Sequence, residues 1–183
     1  SGDKKRFFVA LLGITFAVAM MLFQMGLRNA LYKQVVGPLE LLDGEVVIVG
    51  ANYEYFGVGK GFAQIRMFQA LADEDVESAT GIKLGCMSFK NVDDGRERDI
   101  FVIAFDPSKN VFLSDDIKES QDYLKRDGAV LFDRLSRSQY GKVAEKFERE
   151  GAVRTEVAGK RAMIRGLVKI GATFAAEGNV VVR

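Results

Sequence analysis

Hydrophobic and polar positions divide this chain into two unlike parts. From Phe7 to Leu27 no residue is charged, with Asp3-Lys4-Lys5-Arg6 before the run and Arg28 after it. These 21 residues, at about 1.5 Å rise each, span about 31 Å, the thickness of a bilayer's hydrocarbon core. A segment in lipid must satisfy its own backbone hydrogen bonds, and a helix does that in one pass. The run therefore predicts a membrane helix carrying a polar ectodomain. Ala17-Val18-Ala19 fits the A-x-A pattern of a cleaved signal peptide, but Met20-Met21-Leu22-Phe23 extends the apolar stretch beyond the usual signal core. A retained anchor is the favoured reading. A buried helix of a soluble core fits less well, because the run is apolar on every face. Ser1-Gly2 in place of an initiator Met reads as an expression scar, with the native N-terminus missing.

Past Leu27 the pattern stays helical through Arg28–Val36 and predicts a stalk ending at Gly37-Pro38. Glu45–Val49 is β-branched between Gly44 and Gly50 and predicts a strand. Asn52–Gly61, with three glycines and three aromatics, reads as a loop. Ala63–Ala72 places Ile65, Phe68, Leu71 and Ala72 on one helical face. Gly81–Asn91 and Asp99–Phe105 flank Asp93-Asp94-Gly95 and predict a hairpin, closed off by Asp106-Pro107. Ser114 is placed to cap a helix running to Arg126, with Asp115 and Asp116 in its first turn. Gly128–Phe132 is the next strand.

The order over residues 45–132 is β-α-β-β-α-β, which predicts an α+β, ferredoxin-like lobe with two helices on one face of an antiparallel sheet. A short helical piece at Arg134–Tyr140 follows. Val153–Val157, a Gly159-Lys160 turn, Ala162–Ile170 and a last strand at Asn179–Val182 make up a smaller β-rich lobe. The expected organisation is thus helix and stalk at 1–37, ferredoxin-like lobe at 38–133 and β-rich lobe at 134–183.

Composition narrows the chemistry. Without Asp3, Lys4, Lys5 and Arg6, residues 28–183 hold 23 basic and 24 acidic residues against 26 and 25 in the whole chain, so no basic face points to nucleic acid. The single Cys86 cannot form an intramolecular disulfide. The chain has no His, which removes the commonest zinc ligand and the commonest general base. Gly57-Val58-Gly59-Lys60-Gly61 lacks the spacing of a phosphate loop, with Gly61 where Ser or Thr would bind magnesium, and reads as a surface loop. No catalytic residue, cofactor or metal is assigned, and the chain does not read as an enzyme.

Two features of the pattern are candidate sites. Ala10, Gly13, Ala17 and Gln24 recur at helical spacings and share a face, on which a Gly13/Ala17 small-x-x-x-small pair would let two membrane helices approach and Gln24 hydrogen-bond across. Ile14, Val18, Met21 and Met25 would face lipid or other helices. Alternatively, the small residues accommodate further helices of the same subunit. Tyr53, Tyr55 and Phe56 form an aromatic loop that either contacts a partner or folds back onto the sheet as core.

Several stretches resemble a known family. Phe7–Val18 and Gln24–Tyr32 are similar to the first membrane helix of MacB/FtsX-type permeases, closest to the DevC-like permeases of heterocyst-type ABC exporters. Ile100–Pro107, Val130–Asp133 and Gly171–Asn179 extend the resemblance along the chain. It implies four membrane helices in the full permease, of which this chain would cover the first and the periplasmic core domain at 38–183. It also implies a permease homodimer, a separate ABC ATPase subunit that hydrolyses ATP, and a periplasmic membrane-fusion adaptor leading to an outer-membrane channel. The expected role is export of a glycolipid or other amphiphile in a tripartite efflux assembly of the bacterial inner membrane. Lys4-Lys5-Arg6 would lie in the cytoplasm and residues 28–183 in the periplasm. The alternatives are a single-pass anchored sensor or binding domain without a transport role and, less well supported by the residues, a membrane-anchored enzyme.

Overall fold

The computed structural model describes residues 2–51, 61–171 and 177–183, with the backbone alone at 34, 35 and 38. A single helix, α1 (Gly2–Glu40), leads into a sheet domain. It runs through Gly37 and Pro38, past the expected stop. A proline in a helix interior costs about 3 kcal/mol. Just beyond it, Leu39, Leu41 and Leu42 are partly buried against the domain core, and burying a leucine fully is worth about 1.5–3 kcal/mol. Packing carries the helix past its break.

Among the described residues six strands follow: β1 (Lys83–Lys90), β2 (Glu97–Ala104), β3 (Ala129–Asp133), β4 (Val153–Val157), β5 (Lys160–Val168) and β6 (Asn179–Val182). They close into a barrel in the order β1-β2-β6-β3-β5-β4. β1 and β2 form the expected hairpin, from Lys83↔Ala104 to Lys90↔Glu97. Its turn is built by Asn91, whose Oδ1 accepts from the N–H groups of Asp93 (2.7 Å) and Asp94 (3.1 Å), and by Gly95 at φ +70. β6 inserts between β2, to which it is parallel, and β3, to which it is antiparallel. β5 lies parallel to β3 and antiparallel to β4. The barrel closes between β1 and β4 at Phe89↔Val157, flanked by the Ala158 N–H donating to the Ser88 carbonyl (2.7 Å) and Thr155 Oγ1 donating to the Lys90 carbonyl (2.6 Å).

Alternation along the strands sorts the core into two clusters. Phe89, Ile100, Val102, Val130, Phe132, Val153, Val157, Ile164 and Val180, drawn from all six strands, fill the barrel interior together with Tyr140 and Val143. Phe101, Ile103, Leu131, Val168 and Val181 point outward, where α3 (Asp115–Ser120) and the 3-10 turn at Gln121–Lys125 cover them with Ile117 and Leu124. β3 is consequently buried along its whole length. A further helix, α4 (Val143–Glu150), precedes β4.

The architecture is α+β, a long apolar helix followed by a sheet domain, but the sheet is a closed barrel and not the ferredoxin-like layer expected. Two facts overturn that expectation. Glu45–Val49 forms no strand, so the β-α-β-β-α-β series lacks its first member. The second is β6, inserted between β2 and β3, together with the β4–β5 hairpin, which bends round to β1. Residues on either side of position 133 thus build one sheet. Other expected bounds shift less. α2 is confined to Ile65–Ala70 and buries none of its residues, and the Ser114 helix divides into α3 and a 3-10 turn.

Candidate functional site: the apolar helix and its seat on the barrel

α1 is long and apolar enough to cross a membrane, and none of its apolar span is buried in the structure. At about 1.5 Å per residue its 39 residues extend about 58 Å, nearly twice a hydrocarbon core. Phe7, Leu12, Ile14, Phe16, Leu22, Phe23 and Met25 are all more than half exposed. Ala10, Gly13, Ala17 and Gln24 lie on this helix, and among the described residues nothing beyond the helix's own nearby backbone comes within 4 Å of a Cβ built at Gly13. Tyr53, Tyr55 and Phe56 lie outside the described residues, as do residues 57–60 of the glycine-rich segment.

The lower end of the helix is fastened to the barrel. Leu42 bridges Phe112, Asp43 N–H donates to the Val111 carbonyl at 2.8 Å, and Leu113 N–H donates to the Leu41 carbonyl at 2.8 Å. Phe112 is 2% exposed and stacks edge-on against Phe105 at 5.1 Å. Leu39, Leu41 and Leu42 join this outer cluster beside Ile82 and Leu84 at the foot of β1. Helix and barrel therefore share a core with no flexible linker between them. The sequence pattern missed this seat because Gly37-Pro38 reads as a stop. The signal available was Leu39-Glu40-Leu41-Leu42, too apolar for a surface linker.

Polar chemistry lies elsewhere. Asp133 is 0% exposed. Its Oδ1 accepts from Leu135 N–H (3.0 Å) and Ile170 N–H (3.2 Å), and its Oδ2 from Gly171 N–H (2.9 Å) and the Asn179 amide (2.7 Å). This ties β3, the end of β5 and the start of β6 together. Cys86 sits exposed on β1, and partial burial, aided by Asp99, pushes its thiol above the usual value, which makes it a weak nucleophile at neutral pH. Beside the β4–β5 hairpin a groove of about 750 Å³ is lined by charges of both signs, among them Arg154, Arg161, Asp127 and the Lys90–Glu156 pair at 2.9 Å. Among the described residues, no group of three or more His, Cys, Asp or Glu is placed to hold a metal ion.

Comparison with protein-family models and with curated proteins finds no match to this chain. The class defined by fold and site is therefore structural: a barrel domain carried directly on an apolar helix of membrane-spanning length.

Proposed function

We propose that this chain is part of the membrane (permease) subunit of a DevC/MacB-like ABC exporter. In this reading α1 crosses the bacterial inner membrane and the barrel lies in the periplasm. The barrel relays ATP-driven movement of the helix to a periplasmic adaptor, and a glycolipid or other amphiphile leaves through the adaptor and an outer-membrane channel. A second permease copy and a separate ATPase subunit complete the inner-membrane assembly. The observation that carries the reading is mechanical: the helix continues about 20 Å past Leu27, as far as Glu40, and Leu39, with Leu41 and Leu42 just beyond the helix end, packs against the barrel's outer cluster. An anchor that only tethered a domain would need neither the continuous stalk nor the seat.

The test is to purify the chain, within its full reading frame, from its own membrane and to assay ATP hydrolysis in the material that comes with it. An ATPase subunit in stoichiometric amount is expected. Export should fall when a flexible Gly-Ser insertion follows Lys33, while ATPase association is retained. Recovery of the chain without an ATPase, or full export with the insertion, would overturn the reading.

A further inference from the structure

The outer face of the β4–β5 hairpin carries cations that the fold does not use. Val153, Thr155 and Val157 of β4 and Ile164 of β5 are buried, so alternation turns Arg154, Glu156, Arg161 and Met163 outward. The register sets Arg154 opposite Met163 and Glu156 opposite Arg161. Arg154 and Arg161 are therefore diagonal neighbours on one face, about 7–8 Å apart. Glu156 lies between them, yet its carboxylate is taken by Lys90 Nζ at 2.9 Å. Among the described residues neither arginine has an ion pair or a side-chain hydrogen bond. Two like charges are held side by side, each with a fork of N–H donors open to solvent.

Both arginines line the groove of about 750 Å³, a volume within the usual range of small-molecule sites. Its lining also has an apolar part: Val92 and Ala162 pack onto the interior cluster, and Met163 is partly buried. Beside Met163, Gly128 turns the chain at φ +70, and its carbonyl accepts from the Met163 N–H at 2.8 Å. That bond holds Asp127, the residue before Gly128, at the rim. With Lys90 and Glu156 neutralising each other, the groove presents two unpaired guanidiniums and one carboxylate. A carboxylate ligand would neutralise only one of the two. A phosphate monoester brings a charge of about −1.5 to −2 and several strong acceptor oxygens, which match two adjacent forks.

We propose that this groove binds a small phosphate monoester whose body carries hydroxyl groups. The phosphate sits between Arg154 and Arg161, the body lies over Met163, and a hydroxyl donates to the Asp127 carboxylate. Asp127 also sets the ligand's polarity, because a second anionic end would face its negative charge. A phosphate of this kind comes either from a soluble ester or from a lipid headgroup, and the groove's position favours the first. It borders Lys90, whereas α1 is seated beside Ile82 and Leu84 at the other end of β1. Lys83–Lys90 spans about 23 Å. A ligand free in solution reaches that remote end, where a headgroup held in a bilayer around Phe7–Leu27 does not. The site goes beyond the export reading and does not rest on it.

Calorimetric titration of the full chain in phosphatidylcholine nanodiscs, with glycerol 3-phosphate and with inorganic phosphate as probes, tests it. Glycerol 3-phosphate should bind saturably at one site, and more tightly than inorganic phosphate, which has no hydroxyl-bearing body. Arg154→Gln and Arg161→Gln should each weaken it at least about tenfold, the loss of a charge-assisted contact. Lys160→Gln removes an exposed cation of the same hairpin outside the groove and should stay within about twofold of the parent. Arg154→Lys should recover only part of the affinity, since an ammonium lacks the fork. Asp127→Asn should narrow the gap between the two probes. All four positions are exposed, so the barrel should tolerate the changes, and an unchanged urea midpoint checks that it does. Adding phosphatidic acid to the nanodiscs should leave glycerol 3-phosphate binding unaltered. No saturable binding at millimolar ligand, an equal loss in Lys160→Gln, or displacement of the probe by phosphatidic acid would overturn the proposal. The titration needs no ATPase subunit, so its failure and that of the export reading are separable.

Discussion

Asp133→Ala should be among the most damaging single changes in the barrel. The carboxylate has no exposed surface and accepts four hydrogen bonds between 2.7 and 3.2 Å. Truncation strands three backbone N–H groups, while the Asn179 amide keeps its bond to the Gly171 carbonyl at 2.6 Å. A buried donor left unsatisfied costs about 1–3 kcal/mol. Leu135 and Ile170 retain some access to water, which lowers the sum. The expected loss is therefore about 3–5 kcal/mol, a large part of a typical domain's 5–15 kcal/mol. Asp133→Asn should lose nearly as much, because its NH2 group would face donors on one side.

The assay is urea denaturation of the detergent-solubilised chain, followed by near-ultraviolet dichroism of the buried Tyr140. With a slope of about 2 kcal/mol per molar, the midpoint should fall by about 1.5–2.5 M for Asp133→Ala. Hydrogen exchange should quicken first in 168–171 and 177–182, which the carboxylate joins to β3. The competing view is that an ionised group buried without a cation mainly destabilises the fold through desolvation. In that case both variants would match or exceed the parent, and the four-donor account would be refuted.

Gly178→Ala should destabilise the barrel by about 1–3 kcal/mol, since its Cβ would collide with the Tyr140 ring and come within 2.8 Å of Ser136 Oγ; an unchanged melting temperature would contradict this packing. Asp93 accepts from Lys146 Nζ at 2.7 Å and from the Lys142 N–H at 2.7 Å, and these bonds hold its carboxyl below the ordinary value. Its stabilisation is therefore present above the unfolded-state pKa, near 4, and is lost as pH falls through the depressed folded value. Asp93→Asn should flatten the acid limb of a stability–pH curve, and an unaltered limb would rule the pair out as a contributor. Gly13→Ile should weaken self-association of the chain in detergent or in a membrane two-hybrid assay by about tenfold, with Val18→Leu near the parent; equal association of all three would dismiss the small-residue face.

Local signals were legible wherever one segment decides its own structure. Asn91 and Asp93-Asp94-Gly95 carry the chemistry of a turn, and the apolar runs beside them became β1 and β2. The uncharged run at Phe7–Leu27 became a helix for the same reason. Arrangement was harder to read, because strand order depends on contacts distant in sequence. β6 was visible in Asn179–Val182, but nothing in four residues says that they lie between β2 and β3. α4 was overlooked altogether; Val143–Glu150 is mostly charged, and only Val143 and Phe147 carry it onto the interior cluster. Glu45–Val49 shows the reverse case, strong β propensity without a ladder partner among the described residues. The small-residue face of α1 is an inference from spacing alone, whereas the seat at Leu39, Leu41 and Leu42 becomes visible only when Val111–Leu113 is brought beside it.

The place of β6 also governs when this domain can form. Its four residues separate β2 from β3, so neither strand has its full set of backbone partners until Asn179–Val182 has been made. Synthesis at about 5–20 residues per second leaves an interval of roughly 4–15 s between completion of β2 and arrival of β6. During that wait Ile100–Ile103, fully enclosed in the finished barrel, has no wall on one side and offers an open apolar edge to any neighbouring chain. A nascent chain emerging beside a membrane would need a holding factor, or the shelter of its own β1 hairpin, to reach the closed state without aggregating. Slow, late closure is the kinetic counterpart of a wall whose keystone is the last strand.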